Sequence, residues 1–144
     1  MIDKDRLAGI FGTSVDHDAE KATATLRHSF GAEDFLRGHF PGFPVVPGVI
    51  LLDGMILAAL HLFERLTGRP ADAVSGIAVA SVAFYRPVLP AMPAGFNARA
   101  DAAADGFAAR CSVMVAGARH ARAGITLHTE AGERSPANRQ KDQS

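Results

Sequence analysis

A histidine and a carboxylate stand fourteen positions apart, at 39 and 53, where the most apolar part of the chain begins. His39 lies in the segment "GHFPGFPVVPG" (residues 38–48), and Asp53 interrupts the apolar run that follows. An imidazole titrates near neutral pH, so His39 is a candidate general base. Burial in apolar surroundings raises the pKa of a carboxyl group, whereas a helix N-terminus lowers it. Asp53 is therefore a candidate to give or take a proton.

Backbone groups beside this pair add a second kind of chemistry. The first N–H groups of a helix have no intrahelical partner, and the helix dipole makes that end positive. Gly48 and Val49 follow Pro47 at the start of a predicted helix, so they are candidate donors to an oxygen that gains negative charge. Pro41, Pro44 and Pro47 fix the approach, because each proline locks its own φ and biases the residue before it toward extended conformations.

The helix that carries Asp53 is predicted to run from residue 48 to about residue 67. The stretch contains no proline, and Gly68 with Pro70 supplies a stop signal. Its apolar residues lie nearly all round the helix, so we expect other elements to cover it. The longest apolar run, residues 49–60, is shorter than the ~20 residues of a membrane span. We therefore expect a buried helix and no contact with a membrane.

The rest of the chain has the alternation of β-strands. Residues 22–29 alternate apolar and polar side chains, and similar runs occupy residues 76–90, 95–103 and 106–128, the last divided by a turn at Gly117. Residues 1–12 have the pattern of a short amphipathic helix. Strands that follow one another without intervening helices favour an antiparallel sheet packed on one long helix, an α+β fold. One strand is predicted to place five residues on one face: Phe107, Ala109, Cys111, Val113 and Val115.

Composition excludes several classes of function. The 144 residues fit one domain, predicted at residues 1–134, with a disordered polar tail at residues 135–144. Lys+Arg and Asp+Glu both number 15, so no overall charge favours nucleic acid or an anionic membrane. The single cysteine, Cys111, cannot form an intramolecular disulfide, and the N-terminus lacks the pattern of a secretion signal. We expect a cytoplasmic protein.

The segment "GHFPGFPVVPGVILLDG" (residues 38–54) closely resembles the signature of 3-hydroxyacyl-[acyl-carrier-protein] dehydratases of the FabZ/FabA type. That signature joins His-Phe-Pro, a Pro-Val-x-Pro-Gly turn and a helix with an acid fourteen residues after the histidine, here His39, Phe40, Pro41, Pro44, Pro47 and Asp53. The segment "FYRPVLP" (residues 84–90) is similar to another strand of the family, although Ala91 and Met92 replace the end of its Pro-Gly-Asp turn. The resemblance implies the hotdog fold, in which an antiparallel sheet wraps around one long helix.

The resemblance also implies an activity, the dehydration of a (3R)-hydroxyacyl-carrier-protein thioester to a trans-2-enoyl thioester and water. His39 would act as base, Asp53 as acid, and the N–H groups of Gly48 and Val49 as oxyanion hole. The acyl group would be carried on the phosphopantetheine of an acyl carrier protein, and neither a metal nor a nucleotide cofactor is implied. It further implies a homodimer, or a trimer of dimers, in which each site takes His39 from one chain and Asp53 from the other.

Three departures from the signature leave alternatives open. Leu57 stands where the family commonly carries glutamine, Asp53 stands for the commoner glutamate, and the usual opening motif is absent. If a polar side chain at position 57 orients the acid, Leu57→Gln is expected to fold and to be at least as active. With these departures the chain is more similar to short, stand-alone hotdog dehydratases associated with polyene or polyketide assembly. This comparison is an argument by analogy. The alternatives are a non-catalytic or heterodimer-partner subunit that binds acyl carrier protein and, less favoured, an acyl thioesterase.

Overall fold

The computed structural model describes residues 3–31, 45–101 and 106–130, so the predicted tail at residues 135–144 lies outside the described residues. Two α-helices and six strands follow one another along these ranges. They are α1 (Lys4–Phe11), β1 (Val15–Asp18), β2 (Thr23–Ser29), α2 (Gly48–Thr67), β3 (Val74–Phe84), β4 (Pro93–Asp101), β5 (Phe107–Val115) and β6 (Ala118–Thr129), with a short 3₁₀ turn at Ala71–Ala73.

The six strands form one antiparallel sheet in the order β1-β2-β4-β5-β6-β3. Helix α2 packs on the inner face of this sheet, chiefly against β4, β5, β2 and β6. The inner side chains of the sheet alternate with outer ones as the sequence predicts, and those on β5 include buried Ala109, Cys111, Val113 and Val115. Burial raises the pKa of the Cys111 thiol to about 12, as expected for an unreactive core residue. The predicted α+β arrangement is confirmed.

Helix α2 has the predicted ends. It begins directly after Pro47, and it ends at Gly68, whose φ of 71° lies in the left-handed region that glycine adopts without strain. The Gly68 N–H donates to the carbonyl of Glu64 at 3.0 Å and so closes the last turn. No helix within residues 3–31, 45–101 and 106–130 is long and apolar enough to cross a membrane.

Helix α1 lies along α2 and covers part of its outer side. Leu7 and Phe11 are buried against the core. At the other end of the contact, Lys4 forms an ion pair with Glu64, whose second carboxylate oxygen accepts the Ala71 N–H at 3.0 Å. Glu64 therefore ties both α1 and the chain beyond α2 to the same end of that helix.

Strand β3 is an edge of the sheet and pairs only with β6 among the described strands. It contains no charged residue, and most of residues 78–84 are exposed. Val79 is 37% exposed, Val82 40% and Phe84 51%. A bulge interrupts its pairing after Ala80, where Ser81 has a φ of 55°. An apolar edge of this length is unusual on a protein surface, because open edges readily pair with other strands.

Candidate active site

The first turn of α2 presents two backbone donors that have no acceptor among the described residues. The N–H groups of Ile50 and Leu51 both donate to the carbonyl of Pro47, at 3.0 and 3.2 Å. Gly48 and Val49 precede the first intrahelical bond, so their N–H groups have no intrahelical acceptor. Val49 is 65% exposed, so this end of the helix is open to a ligand. The oxyanion-hole role of these two residues stays a prediction.

Asp53 lies on the same helix face as Val49, because residues four apart are neighbours on an α-helix. Its side chain is half-buried, and burial raises the pKa of the carboxyl group above its ordinary value. The Arg6 guanidinium on α1 acts in the opposite direction and lowers that pKa. A half-buried acid of this kind is suited to proton exchange with a bound molecule.

The helix is held tightly at the position of the acid. A methyl group in place of the Gly54 hydrogen would lie 2.4 Å from two carbons of the Phe96 ring and 2.9 Å from the Phe11 ring. Phe11 and Phe96 in turn pack edge to face, with their ring centroids 5.1 Å apart. Only glycine fits here, so the aromatic core fixes the backbone that carries Asp53.

The remaining residues of the predicted site lie outside the described residues. These are His39, Phe40, Pro41 and Pro44. Pro47, Gly48, Val49 and Asp53 are brought together on one end of α2, whereas the pairing of His39 with Asp53 stays a prediction.

Leu57 belongs to the core and is fully buried, with 0% of its surface exposed. The expectation that Leu57→Gln would fold and work as well as the parent stays a prediction, and this burial indicates that the substitution costs stability. An amide at this position would lose its hydrogen bonds to water, which is costly in an apolar core.

Two features near α2 were missed by sequence reasoning. Phe84, at the end of β3, touches Gly48, although no local pattern links residues so far apart in the chain. Arg6 on α1 lowers the pKa of Asp53. The amphipathic pattern of α1 indicates that one face of this helix is buried, but it does not indicate which element covers that face. Both contacts depend on tertiary structure.

A histidine further along α2, His61, lies away from the open end of the helix. It follows Asp53 by eight residues, about 12 Å along the axis. Burial lowers the pKa of His61 to about 4, with further lowering by Lys4 and His17 and an opposing effect of Glu64. Within the described ranges, no group of three or more His, Cys, Asp or Glu side chains is placed to hold a metal ion.

An antiparallel sheet packed on one long helix defines a class of protein, the hotdog proteins. The profile of the ApeI-like family, described as ApeI dehydratase, matches residues 14–117. The chain belongs to the ApeI-like dehydratase family.

Curated relatives match a shorter part of the chain. A 3-hydroxyacyl-[acyl-carrier-protein] dehydratase FabZ of Thermus thermophilus is 38% identical over 72 residues, which cover 49% of this chain and 51% of that protein. The FabZ of Brucella melitensis biotype 1 is 35% identical over 78 residues, which cover 53% and 49%. The chain thus spans about half the length of the curated relatives that it matches.

Solved structures share the hotdog fold. One is titled the dehydratase heterocomplex ApeI:P from Xenorhabdus doucetiae, with a TM-score of 0.58 and 22% identity over 79% of this chain and 93% of that one. Another is the Escherichia coli PaaI protein from the phenylacetic acid degradation operon, with a TM-score of 0.62 and 14% identity over 87% and 89%. At these identities the matches establish the fold.

Proposed function

We propose that the protein dehydrates a (3R)-hydroxyacyl thioester, carried on the phosphopantetheine arm of an acyl carrier protein, to the trans-2-enoyl thioester and water. The observation that carries the proposal is the open end of α2. There the N–H groups of Gly48 and Val49, which have no intrahelical acceptor, lie on the helix that presents Asp53, an acid whose pKa is raised by burial. Membership of the ApeI-like family supports the reaction type.

In the proposed reaction His39 removes the proton on the carbon next to the thioester carbonyl. The negative charge that develops on the thioester oxygen is stabilised by the N–H groups of Gly48 and Val49. Asp53 donates its proton to the β-hydroxyl, the C–O bond breaks, and water leaves as the double bond forms. Proton exchange with solvent then returns His39 to its neutral form and Asp53 to its acid form, so no other reactant is consumed.

We further propose that the protein is a homodimer, alone or within a trimer of dimers, in the cytoplasm. Edge strand β3 supports this arrangement, because two copies of an uncharged apolar strand can pair without opposing like charges. A second feature is a stripe of α2 that its own sheet leaves partly exposed, formed by Val49, Leu52, Asp53 and Ile56. A second chain that covered this stripe would lie beside Asp53, as a site shared between chains requires.

A second candidate is a non-catalytic subunit that pairs with another hotdog chain. Buried Leu57 favours this candidate, because no polar side chain at that position can orient the acid. A solved structure of similar fold is itself titled a dehydratase heterocomplex. The two candidates differ in whether the chain turns over substrate by itself.

The test is to incubate the purified protein with 3-hydroxyacyl-carrier protein and to weigh the intact carrier by mass spectrometry. Loss of one water supports the dehydratase, and an unchanged mass supports the non-catalytic subunit. Loss of the whole acyl group would identify a thioesterase. The Asp53→Asn variant, purified in the same way, controls for a contaminating dehydratase.

A further inference from the structure

The aromatic ring of Phe84 touches the first residue of the helix that carries the proposed site. A methyl group in place of the Gly48 hydrogen would lie 3.0 Å from Cζ of this ring and 3.3 and 3.4 Å from its two Cε carbons. All three atoms belong to the tip of the ring. The ring therefore points at the helix N-terminus, beside the two N–H groups that have no intrahelical acceptor.

Hydrogen bonds at the end of β3 hold the ring in this place. Phe84 lies opposite Ala121 of β6, and the Tyr85 N–H donates to the carbonyl of His120 at 2.8 Å. Four residues beyond the ring, the Val88 carbonyl accepts the Val46 N–H at 2.9 Å. These bonds join the end of the strand to the segment that enters α2, so Phe84 and Gly48 keep a fixed relation.

Phe84 is also open on its other side. It is 51% exposed, whereas the core rings of Phe30 and Phe96 are 1% and 0% exposed. A large apolar ring beside helix N-terminal donors offers an apolar surface and a polar end together, a combination typical of small-molecule sites.

We infer that Phe84 is a substrate-positioning residue whose ring forms one wall of the thioester subsite. This inference rests on the proposed function, because it takes the thioester oxygen to bind at the N–H groups of Gly48 and Val49. The atoms next to that oxygen then lie against the ring tip that contacts Gly48. By excluding water from this end of the helix, the ring strengthens the hydrogen bonds to the developing negative charge.

The experiment compares Phe84→Ala with Leu66→Ala, a matched truncation of an exposed apolar side chain in the last turn of α2, far from Gly48. Turnover of 3-hydroxyacyl-carrier protein is measured for both, and light scattering reports the oligomeric state of the same samples. We expect Phe84→Ala to lower kcat/KM by about 10- to 100-fold, through kcat as well as KM. Leu66→Ala should stay within about twofold of the parent, since surface changes away from a site have small effects. Equal effects of the two truncations would overturn the inference.

If Phe84→Ala alters the oligomeric state, Phe84→Leu separates the effect of the ring on the site from its effect on assembly. This variant keeps apolar bulk on the strand and removes the ring. A loss of kcat/KM in Phe84→Leu with an unchanged assembly supports the inference, and parental kinetics contradict it.

A binding measurement separates this inference from the proposed function. The probe is a 3-hydroxyacyl pantetheine amide, in which nitrogen replaces the thioester sulfur, titrated by calorimetry into the parent and Phe84→Ala. If the parent binds the amide but releases no water from the thioester, the proposed reaction fails. Weaker binding to Phe84→Ala then still supports the positioning role, whereas an unchanged Kd overturns it.

Discussion

At the scale of single residues, Asp53 is the clearest departure from an ordinary buried helix. Its carboxyl group is half-buried beside apolar neighbours, and burial raises its pKa. The raised pKa is consistent with the proposed exchange of a proton by Asp53, which stays a prediction.

The first prediction concerns the proton-transfer pair. His39→Ala and Asp53→Asn should each lower turnover by roughly 10²- to 10⁴-fold, because each removes a group that moves a proton in the transition state. Circular dichroism should show that both variants remain folded. Parental turnover in either variant would remove that residue from the mechanism.

The second prediction concerns Arg6, whose charge lowers the pKa of Asp53. Activity that needs protonated Asp53 falls as the pH rises through that pKa. Arg6→Gln should raise the pKa further and move this loss of activity to higher pH. The backbone N–H of residue 6 donates to the Asp3 side chain, and this bond does not involve the Arg6 guanidinium. The substitution should therefore leave the start of α1 intact.

The measurement for Arg6→Gln is the pH dependence of kcat/KM. Lys21→Gln is the matched control, because it removes one positive charge from the turn after β1. The same shift in both variants would mean that overall charge, and not the position of Arg6, sets the profile.

The third prediction concerns Leu57, which is fully buried. Leu57→Gln should lower the free energy of unfolding by about 1–3 kcal/mol, because its amide would lose hydrogen bonds to water. Urea denaturation measures the change, with Leu57→Met as a control that keeps the volume apolar. Parental stability of Leu57→Gln would mean that a polar partner exists at that position.

At the scale of elements, β1 and α2 each contribute a histidine, His17 and His61, for which burial disfavours the charged form. Burial lowers the pKa of His61 to about 4 from 6.5, and burial also lowers the pKa of His17. The charged groups that act on them come from three elements: Lys4 on α1, Asp16 on β1, and Glu64 and Arg65 on α2. The unfolded chain therefore binds protons more readily than the folded one as the pH falls.

The fourth prediction follows from this difference. The stabilising contribution of neutral His61 is complete above pH 6.5 and is lost as the pH falls toward 4. Urea denaturation at neutral pH and at a pH between these two values should show a smaller loss of stability in His61→Leu than in the parent. Equal losses in the two proteins would show that His61 is not among the groups responsible.

The elements also differ in how far the sequence could predict them. The ends of α2 follow from Pro47 and Gly68, and the faces of β2 and β5 follow from their alternation. Strand β1 was missed because "VDHD" has no apolar alternation, and its pairing with β2 makes it a strand. Residues 78–84 of β3 have the composition of a core strand, yet most are exposed, because periodicity does not tell which strand is an edge.

For the candidate site, the predictable part is the part that is local in sequence. Gly48, Val49 and Asp53 lie within two turns of one helix, so the helix prediction places them. Phe84 reaches Gly48 through the pairing of β3 with β6, which no local pattern specifies.

At the scale of the whole molecule, the proposed homodimer makes a fifth prediction. If each site takes His39 from one chain and Asp53 from the other, His39→Ala and Asp53→Ala chains should be inactive alone. A mixed dimer would contain one site with both groups intact. Unfolding and refolding the two variants together should therefore restore part of the activity.

A tag on each variant allows mixed dimers to be isolated before the assay. Isolated mixed dimers as inactive as either parent variant would exclude a shared site. The parent protein, refolded in the same way, sets the recovery that full reassembly allows.

The uncharged edge of β3 also bears on how the protein is made. In the proposed dimer, a newly synthesised chain completes its sheet only on meeting a second chain, so its final folding step is bimolecular. Until then, the open apolar edge can add strands from any unfolded neighbour, and productive pairing competes with aggregation. The rate of dimer assembly should rise with chain concentration. At high concentrations of unfolded chain, the yield of folded dimer should fall because aggregation becomes faster. Strand β3, which would pair two subunits in the proposed dimer, is then also the segment most exposed to aggregation before the dimer forms.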